Sequence, residues 1–193
     1  MNLRNFSIVI SRIFDFWFWS PIVMFSVFTT GLTSQQITLL VPLLLTLNLI
    51  VPVGIFLYLL KSGRVTDIDM TKREERHIVW GVATLSFLLS TTLVYFLANY
   101  LFFVISFTVF IVTLTLFIIT FKWKISVHVI TNTTSVFVIN YLFDWKLLWL
   151  FAVVPVVAFA RFYLKKHTLS QILAGFAVGI IEPYIILEVF GLM

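Results

Sequence analysis

Residues 101–121 read LFFVISFTVFIVTLTLFIITF. The stretch is uncharged, almost wholly apolar, and as long as the roughly 20 residues that a helix needs to cross a bilayer. The same composition recurs on both sides of it. Of 193 residues, 61% are hydrophobic and 11% charged, against about 45–50% and about 25% in soluble domains. Phe alone supplies 22 residues. A soluble globular domain could not hide that much apolar surface, and a disordered chain would be poor in apolar residues. Cysteine is absent, which excludes a disulfide framework and thiolate chemistry. The apolar start continues through Trp17, Phe18 and Trp19 with no small-residue cleavage site, so it does not read as a signal peptide.

Working outward from 101–121, apolar runs broken by polar or turn residues place further spans at roughly 16–33, 38–60, 78–97, 129–143, 147–162 and 171–190. The two at 129–143 and 147–162 are short for a straight crossing. The expectation is an all-α, polytopic membrane helix bundle with six or seven transmembrane helices. It forms a single integral membrane domain over residues 1–193, with no separate soluble domain. Within it, residues 1–60 hold an N-terminal segment and the first two spans. In residues 2–15, Arg4, Ser7, Ser11 and Asp15 recur at helical spacing opposite Leu3, Phe6, Ile10 and Phe14. This suits an interfacial helix or a simple lead-in to the first span.

Seven spans would place every basic residue except Lys146 on one face of the membrane. The positive-inside rule would make that face cytoplasmic, unless those residues are there to bind an anion. Three loops on that face hold most of the reactive groups and all three histidines. The first runs from Asp67 to His77. If it is helical, Asp69, Arg73 and Arg76 share one side, and two arginines there could grip a phosphate by forked hydrogen bonds. The second is Lys124-Ile125-Ser126-Val127-His128. The third runs from Arg161 through Lys165, Lys166 and His167 to Gln171, and His167 and Gln171 are four apart on one helical face. The parts are a histidine able to act as nucleophile, a second as acid or base, and Arg and Lys for oxyanions. That is the set phosphoryl transfer requires. No metal-ligand spacing and no glycine-rich phosphate loop is present.

These residues resemble the type 2 phosphatidic acid phosphatase family over about residues 61–180. The family's motifs are Lys-x6-Arg-Pro, Pro-Ser-Gly-His and Ser-Arg-x5-His-x3-Asp. Arg76 falls on the first, Ser126 and His128 on the second, and Arg161 and His167 on the third. The resemblance implies a lipid phosphatase in which His167 attacks phosphorus and His128 protonates the leaving oxygen. Arg76, Arg161 and Ser126 would hold the phosphoryl oxygens, with Arg73 and Lys124 assisting. No metal or other cofactor would be required. The implied partner is a lipid phosphate, phosphatidic acid-like or polyprenyl phosphate-like, drawn from the surrounding membrane lipids; no nucleic acid is expected. The chain departs from the pattern at several places. Asp69 stands at the first motif's Lys, His77 replaces its Pro, and Ile125 and Val127 replace the Pro and Gly of the second. Ala160 replaces the Ser of the third, and Gln171 stands where its Asp would orient the nucleophile. A lipid phosphotransferase is a near variant. A non-catalytic lipid-phosphate binder or transporter is the alternative from another class.

Overall fold

A computed structural model describes residues 2–28 and 31–193, and of Phe16, Trp17, Val27 and Phe28 the backbone alone. Among the described residues the chain is all helical. The helices are α1 (Leu3–Ile13), α2 (Phe16–Phe28), α3 (Ser34–Leu45), α4 (Val51–Lys61), α5 (Arg76–Leu97), α6 (Tyr100–Thr120), α7 (Val127–Leu142), α8 (Val153–Tyr163) and α9 (Leu169–Val189). A π-turn, Thr46–Ile50, joins α3 and α4 into one 28-residue run, Ser34–Lys61.

Four helical runs are long and apolar enough to cross a membrane: Ser34–Lys61, Arg73–Leu97, Tyr100–Thr120 and Leu169–Val189. A fifth is added if Leu3–Ile13 and Phe18–Ser26, bent by 41°, act as one. These runs are consistent with an integral multi-pass membrane protein. They correct the expectation of six or seven transmembrane helices. The helices expected at 129–143 and 147–162 are present, but α7 has 16 residues and α8 has 11. At 1.5 Å per residue, neither matches a hydrocarbon core of about 30 Å. Of the span expected at 16–33, residues 29 and 30 lie outside the described residues. The one-face arrangement of basic residues was counted on seven spans and falls with that number.

The described chain divides into two compact units. One comprises the segment up to Val27 together with Ile125–Met193; the other is Phe28–Lys124. In the first, α7 is the enclosed element: every residue except Thr131, Tyr141 and Leu142 is buried. It packs against α8 and α9, and Trp19 of α2 reaches Val136 and Ile139. The approach to α9 is set by two glycines. A Cβ on Gly175 would lie 3.0 Å from the Ser126 carbonyl, and one on Gly179 would lie 2.7 Å from Thr133 Cβ. Small residues four apart let helix backbones close on each other where the surroundings supply no hydrophobic drive. Since Gly175 meets Ser126 and Gly179 meets Thr133, α7 and α9 run parallel with their N-termini side by side.

Helix α1 packs on α8 with its polar side inward. Ser7 and Ser11 are buried, while Leu3, Ile8, Val9 and Ile13 are exposed. Ser7 satisfies its hydroxyl on the Leu3 carbonyl at 2.9 Å, while the Ser11 hydroxyl is buried with no hydrogen-bond partner. In the second unit α5 packs against α6 and α4, and Thr91 bonds across to Ser106.

Candidate functional site

The first unit places five of the expected site residues around the adjacent N-termini of α7 and α9. Helix α8 stops at Leu164, and Lys165 takes a left-handed conformation with φ 53°. The Lys166 N–H then returns to the Arg161 carbonyl at 3.1 Å and the Lys165 N–H to the Phe162 carbonyl at 2.9 Å. This is a Schellman stop with Lys where Gly is usual. Two residues later Thr168 caps α9, so His167 is held between a helix end and a helix start. Arg161 and His167 are almost fully buried, at 2% and 5% exposed.

The cap of α9 also sets the histidine. The Gln171 N–H donates to Thr168 Oγ1 at 3.4 Å, and the Thr168 N–H donates to Gln171 Oε1 at 3.1 Å. This reciprocal pair is a capping box. A backbone N–H can only donate, so it identifies which end of the Gln171 amide is oxygen. That same oxygen lies 3.3 Å from His167 Nδ1. An amide oxygen only accepts, so the ring carries a proton on Nδ1. Asp at the family's position would give the same tautomer with a charge added; Gln171 gives it without one.

The segment at Ser126 lies directly against this cap. The Ser126 N–H donates to the Gln171 carbonyl at 3.3 Å. Ser126 stands at the N-cap of α7, yet its hydroxyl makes no capping bond and is buried with no hydrogen-bond partner. His128, in the first turn of α7, is 8% exposed, and its Nε2 lies 3.4 Å from Asp15 Oδ2. Two parallel helix N-termini with a buried hydroxyl between them make a favourable seat for an anion, because aligned peptide dipoles leave positive charge there.

Arg73, Arg76 and Lys124 belong to the second unit. Arg76 opens α5 and is 2% exposed. Its Nε donates to the Met70 carbonyl at 3.0 Å and its Nη2 to the Asp69 carbonyl at 3.4 Å. Arg73 donates to the Lys122 carbonyl at 2.8 Å and pairs with Glu74 at 3.2 Å. Lys124, half-buried, closes the unit. The helical side expected for Asp69, Arg73 and Arg76 does not form, because Asp67 diverts the backbone. Its carboxylate accepts from the Asp69 and Thr71 N–H groups and from the Thr71 hydroxyl, an Asx-type turn that competes with helix. The third histidine, His77, lies 3.2 Å from the Thr120 carbonyl and stacks on Phe121.

Sequence reasoning missed Asp15 as the partner of His128; it singled out Asn132 as a residue that could face the site or bond across helices, and Asn132 does bond across, to Trp19 and to the Phe14 carbonyl. A signal existed for Asp15: it is the sole acidic residue before Asp67. The spacing Thr168-x-x-Gln171 was likewise readable as a capping box. Among the described residues, no group of three or more His, Cys, Asp or Glu side chains gathers as a metal site would.

Together, fold and site define an all-helical, membrane-type protein with a buried polar centre at two parallel helix N-termini. No protein-family model matches the chain, and no curated protein or solved structure matches it.

Proposed function

We propose that this protein is a membrane-embedded lipid phosphatase that hydrolyses a phosphomonoester or diphosphate through a phosphohistidine at His167. One observation carries the reading. His167 is buried beside the anion-favouring ends of α7 and α9, with Nδ1 held on Gln171 Oε1 at 3.3 Å. Its Nε2 is thereby left as the nitrogen that can attack.

In the first step the Nε2 lone pair forms an N–P bond as the ester P–O bond breaks, and the leaving oxygen takes a proton from His128. In the second, water loses a proton to His128 while its oxygen bonds to phosphorus and the N–P bond breaks. The products are inorganic phosphate and the lipid alcohol from a phosphomonoester, or inorganic phosphate and the lipid phosphomonoester from a diphosphate. Ser126 and Arg161 serve the phosphoryl oxygens. A hydroxyl and a guanidinium stabilise charge that grows on those oxygens in the transition state.

A non-catalytic lipid-phosphate binder draws support from the neutral Gln171 beside His167. Phosphate release from a panel of lipid phosphomonoesters and diphosphates, measured in EDTA, separates the two. The phosphatase reading expects release by the purified protein and none by His167→Ala. Binding of the same lipids without release from any would establish the binder instead.

A further inference from the structure

We propose that Asp15, on the corner between α1 and α2, is a positioning residue that orients His128 as the proton donor to the leaving group. The inference rests on the phosphatase reading and deepens it.

The contact is built rather than incidental. Asp15 Oδ2 lies 3.4 Å from His128 Nε2, with side chains 18% and 10% exposed. That distance is within ion-pair reach and long for a hydrogen bond, a looseness common in unliganded sites. Water is largely excluded, so the attraction is weakly screened. The corner itself is fastened to α7 by Asn132. Its Nδ2 donates to the Phe14 carbonyl at 2.8 Å and to the His128 carbonyl at 2.7 Å. Its Oδ1 accepts from Trp19 Nε1 at 2.8 Å. Carbonyls only accept and an indole N–H only donates, so all three bonds agree on one orientation of the amide. Asn132 thus ties the residue before Asp15, and the tryptophan that follows it in α2, to the first turn of α7.

The two histidines end up with opposite partners. His167 meets a neutral amide through Nδ1 and works through Nε2. His128 meets a carboxylate through Nε2, so Nδ1 is the nitrogen that exchanges a proton with substrate. The carboxylate holds an N–H on Nε2 of His128 and so fixes the ring with Nδ1 toward the leaving oxygen, as a carboxylate behind a catalytic imidazole does. The acidic partner that the family resemblance would place after His167 stands in this chain beside His128 instead.

The test uses full-length protein in lipid nanodiscs and two probes, a long-chain alkyl phosphomonoester and a nitrophenyl phosphomonoester. The alkyl alkoxide cannot leave without a proton; the nitrophenolate can. The readout is single-turnover release of alcohol or nitrophenol, which isolates the first step. Asp15→Asn is expected to slow alkyl release by roughly 100-fold, with little change in KM, and nitrophenol release by less than about 3-fold. Asp15→Glu should recover much of the alkyl rate. Asn132→Leu, which cuts the tether but leaves the carboxylate, should show the same selectivity in milder form, and it covers the case of Asp15→Asn failing to fold. Equal loss on both probes, or no loss, in variants of an active protein overturns the role of Asp15 and leaves the phosphatase reading standing. Wild-type protein that releases neither product overturns that reading and this inference with it.

Discussion

Each unit buries one arginine at a helix end to the same extent, and the loops beside them are built differently. In the second unit Arg76 spends its fork on the carbonyls of Met70 and Asp69, beside a left-handed Met70 with φ 47°. It holds a loop. In the first unit Arg161 ends α8 beside a left-handed Lys165, and the loop is held by backbone bonds of its own. There, side chains pair with side chains: His128 with Asp15, His167 with Gln171, and Trp19 with Asn132. The side-chain pairs of the second unit, such as Arg73 with Glu74 and Thr66 with Glu75, lie within one loop, whereas Asp15 with His128 and Trp19 with Asn132 join segments more than a hundred residues apart.

The largest expected effect would break that comparison most visibly. Arg161→Gln should lower lipid phosphate turnover by about 10²–10³-fold, the usual loss when a group stabilising transition-state charge is removed. Arg76→Gln should instead act mainly on stability. Losing the bonds to these two half-buried carbonyls costs about 1–3 kcal/mol in all, and hydrogen exchange over residues 64–75 should accelerate while turnover changes far less. If Arg76→Gln abolished turnover with no change in exchange, the division of labour would be wrong.

The next effect concerns packing. Gly179→Ala pushes a methyl group into Thr133 and should destabilise by about 1–3 kcal/mol in thermal unfolding. Nothing lies within 4 Å of a Cβ at Gly54 in the second unit. Gly54→Ala should be neutral or slightly stabilising, because Ala is the better helix former by up to about 1 kcal/mol.

A smaller effect sharpens the role of the α9 cap. Gln171→Leu removes the acceptor for the Thr168 N–H and for His167 Nδ1 while leaving the Thr168 cap itself, and should cost up to about 1 kcal/mol of stability together with a clear drop in turnover. Gln171→Glu keeps the capping box and should retain both. Equal loss of turnover in the two variants would show that the cap does not govern the histidine. The smallest effect is backbone strain: Lys165→Gly should gain no more than about 1 kcal/mol, since a side chain in the left-handed region is disfavoured by about 1–2 kcal/mol and glycine returns part of that in chain entropy.

Helix positions were legible because apolar length is a strong signal; α6 and α9 begin and end within two residues of the expected spans. The number of crossings was not. Apolarity alone does not distinguish a crossing from a short helix such as α8, or from a helix enclosed by its neighbours such as α7. Within the site, Thr168 and Gln171 lie close together in the chain and their geometry follows from helix capping. The Asp15–His128 contact joins residues over a hundred positions apart through a corner that only tertiary packing defines. The bonds from Arg76 to the Met70 and Asp69 carbonyls were not legible, because a sequence does not show which carbonyls a buried guanidinium will meet.

The central claim is that His167 carries the phosphoryl group. The most direct measurement is to mix wild-type protein with a ³²P-labelled lipid phosphate, quench in alkali and map the labelled peptide. A phosphoramidate survives alkali and is lost in mild acid. The account predicts such a label on His167, reduced or absent in His167→Ala and accumulating in a variant slow to activate water. Phosphate release by wild-type protein with no label at His167, and undiminished in His167→Ala, would contradict it.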